Sequence, residues 1–139
     1  MKEIKRVSPV VLKGTPVKTK TIDNWEIVME YEGESNGPFL IDLTHKQRFD
    51  YQDSNLGGKK PFNINIPEIP GNSVLDKKIL INRMNNTQVS IYNFSEEDID
   101  MPEDSGFTDV TEATLFVALV GKNIFSICEK LTSLDFLNP

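Results

Sequence analysis

In 139 residues the chain has one cysteine, one histidine and one tryptophan, and no run close to the ~20 consecutive apolar residues of a membrane span. Each scarcity excludes something. Structural zinc takes about three or four Cys and His ligands, and Cys128 with His45 cannot supply them. A lone cysteine also rules out an internal disulfide, and Cys128 falls among apolar residues at helical spacing, so it reads as a core thiol. No G-x-S-x-G elbow accompanies His45, which reads as a turn residue. Gly57-Gly58-Lys59-Lys60 lacks the spacing of a phosphate-binding loop and reads as a flexible turn. Positive charge is short too: 15 Lys and Arg against 21 Asp and Glu give a net charge of −6, which argues against a nucleic-acid partner. The opening MKEIKRVSPVVLKG lacks the apolar core of a signal peptide, so a cytoplasmic location, away from any membrane, is expected.

What is present suffices for one core. With 38% hydrophobic residues, a single domain over 1–139 is expected, with residues 1–14 as a flexible arm. Residues 1–20 carry no sustained period, and Pro9, Gly14 and Pro16 punctuate them as an extended segment. Their dispersed lysines and Arg6 read as a solvated arm that reaches another chain.

From Thr21 the apolar residues Ile22, Trp25, Ile27, Met29 and Tyr31 predict one strand that ends at Gly33, followed by a turn at Ser35-Asn36-Gly37-Pro38. Short strands are predicted over 39–44 and 47–52. Asp53-Ser54-Asn55 could cap one helical turn, which Gly57-Gly58 would stop. Three prolines in 61–73 forbid a long element, though Phe62, Ile64 and Ile66 could pair as an edge strand. Strands over 78–84 and 88–94 should join in a hairpin at Asn85-Asn86-Thr87, because asparagine tolerates positive φ.

Residues 95–106 hold Glu96, Glu97, Asp98, Asp100, Glu103 and Asp104 with few core-forming residues, and read as a solvated loop. Residues 107–120 predict a β-rich segment whose second half, apolar on both faces, belongs in the middle of a sheet. After Gly121, Ile124, Phe125, Ile127, Cys128, Leu131 and Leu134 recur at helical spacing. They predict a helix over 122–133 with Phe125, Cys128 and Leu131 against the sheet. About six strands in hairpin order and one closing helix make an α+β domain, mainly antiparallel sheet.

The order of these motifs resembles the sarcosine oxidase gamma subunits, within the glycine-cleavage T-protein (aminomethyltransferase) superfamily of folate-binding domains. NWEIVMEYEGE, residues 24–34, is similar to the T-protein's Gly-Trp-x-x-Pro-x-x-Tyr stretch, with Asn24 and Val28 in place of Gly and Pro. LIDLTH, residues 40–45, resembles its aspartate-serine-histidine strand. INIPEIPGNSV resembles the gamma subunit's Leu-Pro-x-x-Pro-Asn region, and INRMNNTQVSIYN its next strand pair. Residues 108–137 are similar to the superfamily's ending, with Gly121-Lys122 replacing Gly-Pro.

The resemblance implies interlocked β-α-β units sharing one core, and an accessory subunit of an amine-oxidising or demethylating complex. Its partners would be the other subunits of an oxidase or methyltransferase; self-association in isolation stays open. It implies no cofactor held tightly by this chain, with tetrahydrofolate as the one the family would bring. In catalytic relatives an Asn-Ala motif precedes a Lys-Asp pair whose aspartate is the functional acid. The matching interval from Asn93 ends at Asp100, but Phe94 and Ile99 stand where Ala and Lys belong. Asp100 is thus the only catalytic candidate, for a minimal folate-dependent aminomethyltransferase. A third reading is a small-ligand domain with Trp25, Tyr31 and Tyr92 as aromatic walls; the plainer role for these three is ordinary core.

Overall fold

A computed structural model describes residues 4–133. The fold is mostly antiparallel sheet with very little helix, and it separates into two compact units. The first comprises the stretch through His45 and the stretch from Leu115; the second is residues Lys46–Thr114.

The second unit owns the hydrophobic core. Strands β5 (Arg48–Gln52), β6 (Ser73–Asp76), β7 (Ile79–Arg83), β8 (Gln88–Asn93) and β9 (Phe107–Asp109) form one sheet in the order β6-β7-β8-β5-β9, every neighbour antiparallel. Period-2 alternation sends Phe49 and Tyr51 of β5, Ile79 and Ile81 of β7, and Val89 and Ile91 of β8 to one face, where all six are buried. Leu56, Ile64 and Phe107 close over them.

Residues 61–66 do not pair as an edge strand, because Pro61 starts a single 3-10 turn, Pro61–Asn63, that puts Phe62 and Asn63 at positive φ. The same apolar residues still reach the core. Ile64 is buried, and Phe62 stacks between Phe49 at 5.5 Å and Phe107 at 5.7 Å. The left-handed φ of 52° at Phe62 is strain offset by that ring packing.

The hairpins follow turn chemistry. β6 and β7 join through Lys77 and Lys78, both left-handed, as a two-residue primed turn requires. β7 and β8 join at Asn85–Thr87 as expected, but no asparagine there takes positive φ. Asn85 instead uses its side chain, whose Oδ1 accepts the Thr87 N–H at 2.8 Å.

In the first unit β1 (Arg6–Val7), β2 (Pro16–Ile22) and β3 (Trp25–Tyr31) form a sheet in the order β1-β3-β2, with β1 parallel to β3. Two expectations are corrected here. Residues 16–20 belong to a strand rather than to an irregular segment. The predicted strand from Thr21 is broken by a turn, since Asp23 and Asn24, at φ 44° and 62°, reverse the chain. β4 (Phe39–Asp42) pairs with β10 (Val117–Val120) as a two-stranded antiparallel ribbon. β10 therefore has one neighbour among the described residues and is not the centre of a sheet.

The closing helix is also shorter than its periodicity predicts. α1 spans Ile124–Cys128, its N-cap Asn123 is left-handed, and no side chain caps it. An uncapped helix of this length depends on packing, yet Phe125 is 48% and Leu131 75% exposed, so neither is buried in a core as predicted. Cys128 is half-buried, and the predicted Leu134 contact lies outside the described residues. No helix among the described residues is long and apolar enough to cross a membrane.

The contrast between Ile81 and Leu131 is measurable. Ile81→Ala should cost about 2–5 kcal/mol in a urea melt, whereas Leu131→Ala should cost under about 0.5 kcal/mol.

Candidate functional site

The polar chemistry of the second unit gathers around β5, on both faces of the sheet. On the face opposite the core, Arg48 is 3% exposed. Its Nη1 donates to Thr114 Oγ1 at 3.0 Å, and its Nη2 donates to the carbonyls of Thr114, at 2.7 Å, and Thr111. The backbone completes the clasp: Arg48 N–H donates to Thr111 Oγ1 at 3.0 Å and Val110 N–H to the Arg48 carbonyl at 2.9 Å. Burial lowers the Arg48 pKa, while Tyr92 and Asp109 act against the shift. A guanidinium tied up by carbonyls and a hydroxyl holds the returning segment 110–114 against the start of β5.

Gln47 and Asn93 tie down the acidic loop. Gln47 Oε1 accepts the Ile99 N–H at 2.7 Å while its Nε2 donates to the Ile99 carbonyl at 3.2 Å, as a paired strand would. Buried Asn93 donates from Nδ2 to Gln47 Oε1 and to the Glu97 carbonyl, and its Oδ1 accepts the Ser95 N–H. Lys46 Nζ donates to the Ser95 carbonyl at 2.7 Å. Residues 95–106 are thus a loop whose first half is anchored through its backbone while Glu96, Glu97 and Asp98 face solvent.

The loop's second half meets Tyr51. The phenol lies 3.3 Å from Asp53 Oδ2 and 3.2 Å from Asp104 Oδ2, and Lys59 Nζ is 2.7 Å from Asp53 Oδ2. One phenolic proton cannot serve both carboxylates, and Asp53 already receives Lys59, so Asp104 is the acceptor that gains most from it. Burial pushes the Tyr51 phenol up despite the opposing Lys59, which keeps it a protonated donor at neutral pH rather than a base or nucleophile. The hydrogen bond from Lys59 holds the Asp53 carboxyl below its usual range, helped by the Asn55 N–H, and Asp53 raises Lys59 in turn. Asp53-Ser54-Asn55 makes these side-chain turns rather than the helical turn its composition allowed. Gly106 lets the loop come this close: a Cβ there would lie 2.4 Å from the Gln52 carbonyl oxygen and 2.7 Å from Tyr51 Cε2.

The residues predicted from sequence occupy other places. Asp100 is exposed in the acidic loop, and no described hydrogen bond sets it beside a lysine or a second acid. Trp25 is buried in β3 and Tyr31 is half-buried at its end, with Tyr31 Cδ1 2.8 Å from where a Cβ on Gly14 would sit. Tyr92 belongs to the other unit, half-buried on β8 opposite Arg48. His45 sits in the turn before β5, as its sequence context suggested. No group of three or more His, Cys, Asp or Glu able to hold a metal ion occurs among the described residues.

Sequence reasoning missed Gln47, Arg48, Tyr51 and Asn93, because each makes contacts 46 to 66 residues away in the chain. The one local hint was a charged or amide side chain within an otherwise apolar alternation. No family model, curated protein or solved structure matches the chain.

Two measurements follow. A folded pKa held below the unfolded one contributes stability that is complete above the unfolded value, about 3.9, and lost as pH falls through the folded value. Asp53→Asn should therefore destabilise at neutral pH, and its gap from the parent in urea melts should close on acidification; a gap unchanged at about pH 2 would contradict the Lys59 pairing. Gly106→Ala should cost about 1–3 kcal/mol through forced displacement of the loop from β5.

Proposed function

We propose that the chain is a non-catalytic, gamma-like subunit of a multi-subunit, sarcosine oxidase-like complex acting on N-methylated amines in the cytoplasm. The carrying observation is the unequal burial of the two units. Among the described residues, thirteen of the seventeen exposed large hydrophobics lie in the first unit, the exceptions being Ile69, Leu75, Met84 and Met101, and Trp25 is that unit's only buried hydrophobic. A polypeptide segment that buries so little is expected to gain its apolar cover from other chains. The motif order over residues 15–139 supports the oxidase gamma subunits as the model for that assembly.

On this reading the antiparallel architecture is a shortened T-protein-like folate-binding fold of interlocked β-α-β units. Tetrahydrofolate is a ligand shared with other subunits. A minimal aminomethyltransferase is the weaker reading, because Asp100 is exposed and nothing described around it tunes an acid.

Affinity-tagged chain recovered from its native cells should bring down a flavin-dependent amine oxidase or a methyltransferase in fixed stoichiometry, identified by mass spectrometry. The purified chain alone should show no methyl or aminomethyl transfer with tetrahydrofolate. Turnover that disappears in Asp100→Asn would replace this proposal with the enzyme reading.

A further inference from the structure

Asn36 is the only asparagine of the chain that a glycine follows. It is exposed in the connection between β3 and β4, and Gly37 after it is half-buried at φ 86°. Among the described residues, no hydrogen bond engages the Asn36 side chain or the Gly37 N–H.

This combination bears on covalent chemistry. An asparagine loses its side-chain amide when the backbone nitrogen of the next residue reaches its Cγ. A glycine nitrogen meets the least obstruction, because no Cβ flanks it and its backbone turns readily. A nitrogen whose proton is already donated to a fixed acceptor is held away from that carbon. The fold commits several of the competing nitrogens in this way. Ile64 N–H, after Asn63, donates to the Pro61 carbonyl at 3.0 Å, and Arg83 N–H, after Asn82, to the Asn72 carbonyl at 2.9 Å. Thr87 N–H, after Asn86, donates to Asn85 Oδ1 at 2.8 Å, and Phe94 N–H, after Asn93, to the Lys78 carbonyl at 2.8 Å. Asn93 is itself buried and bonded through both side-chain atoms.

We propose that Asn36 is a site of non-enzymatic deamidation, with water as the co-reactant. The Gly37 nitrogen attacks Asn36 Cγ. A bond between that nitrogen and Cγ forms, the bond from Cγ to Nδ2 breaks, and ammonia leaves with the proton that the Gly37 nitrogen gives up. Water then opens the cyclic imide, yielding aspartate where it attacks Cγ and isoaspartate where it attacks the main-chain carbonyl carbon. The net change is amide for carboxylate, with nothing oxidised or reduced. The new carboxylate adds to a segment that already holds Glu32 and Glu34, in a chain of net charge −6. Isoaspartate also lengthens the main chain just before a packed corner, since a Cβ on Gly121 would lie 2.8 Å from Pro38 Cα. The proposal is independent of the oxidase assembly.

Peptide mapping by mass spectrometry, with fragmentation that separates isoaspartate from aspartate, tests it on the full chain incubated at mildly alkaline pH. The folded chain should gain the mass of an amide-to-acid exchange at Asn36, at no less than about a tenth of the rate in the urea-unfolded chain and at least about tenfold faster than at Asn63, Asn82, Asn86 or Asn93. Both isomers should appear. Asn36→Gln keeps the amide but disfavours the ring, and should abolish the change at this position with the melting curve retained. Protection of Asn36 by more than about tenfold on folding, earlier modification of any of the four bonded sites, or aspartate without isoaspartate would each overturn the proposal.

Discussion

The antiparallel ladder between β5 and β8 is the contact on which the second unit depends. It sets Phe49 opposite Ile91 and Tyr51 opposite Val89, which places four buried side chains on one face at the middle of the sheet. Everything else is added to this pair: β7 beyond β8, β9 beyond β5, and Phe62, Ile64 and Phe107 over the face. A slip of one residue would turn Arg48, Asp50 and Gln52 into the core and expose the aromatics, so the register is fixed by burial.

The polar groups of β5 are governed by the same ladder. Because Phe49 and Tyr51 face the core, Arg48 must face the other way, where the returning segment covers it and supplies carbonyl acceptors. Tyr51 reaches through the core to its rim, and its hydroxyl ends among Asp53, Lys59 and Asp104. Its raised pKa and the depressed pKa of Asp53 come from this placement, with the phenol buried and the carboxylate paired at the surface. The groups hold loops, and the loops carry the acidic surface.

The first unit works on a different principle. Its sheet and ribbon are paired through backbone bonds but bury few apolar side chains among the described residues. The proposed assembling role rests on that imbalance.

Much of the β-structure was legible because period-2 alternation and turn residues are local signals: β5, β7 and β8 lie within the spans read from Phe49-x-Tyr51, Ile79-x-Ile81 and Val89-x-Ile91. The hairpin at Asn85 was legible for the same reason. What misled was apolar content without context. Val117–Val120 is hydrophobic enough for a sheet centre, and Ile124 to Leu131 has helical spacing, but burial depends on which surfaces the rest of the chain can offer. The candidate polar centre was hidden because Arg48, Gln47 and Tyr51 acquire their roles from partners some fifty residues or more away. The sequence by itself determined the mainly antiparallel architecture and the acidic balance, since alternation, turns and net charge are properties of neighbouring residues and of composition. Only the tertiary structure decided the division into two units, the anchoring of the acidic loop and the exposure of the ribbon, because each depends on long-range register and on finite buried surface.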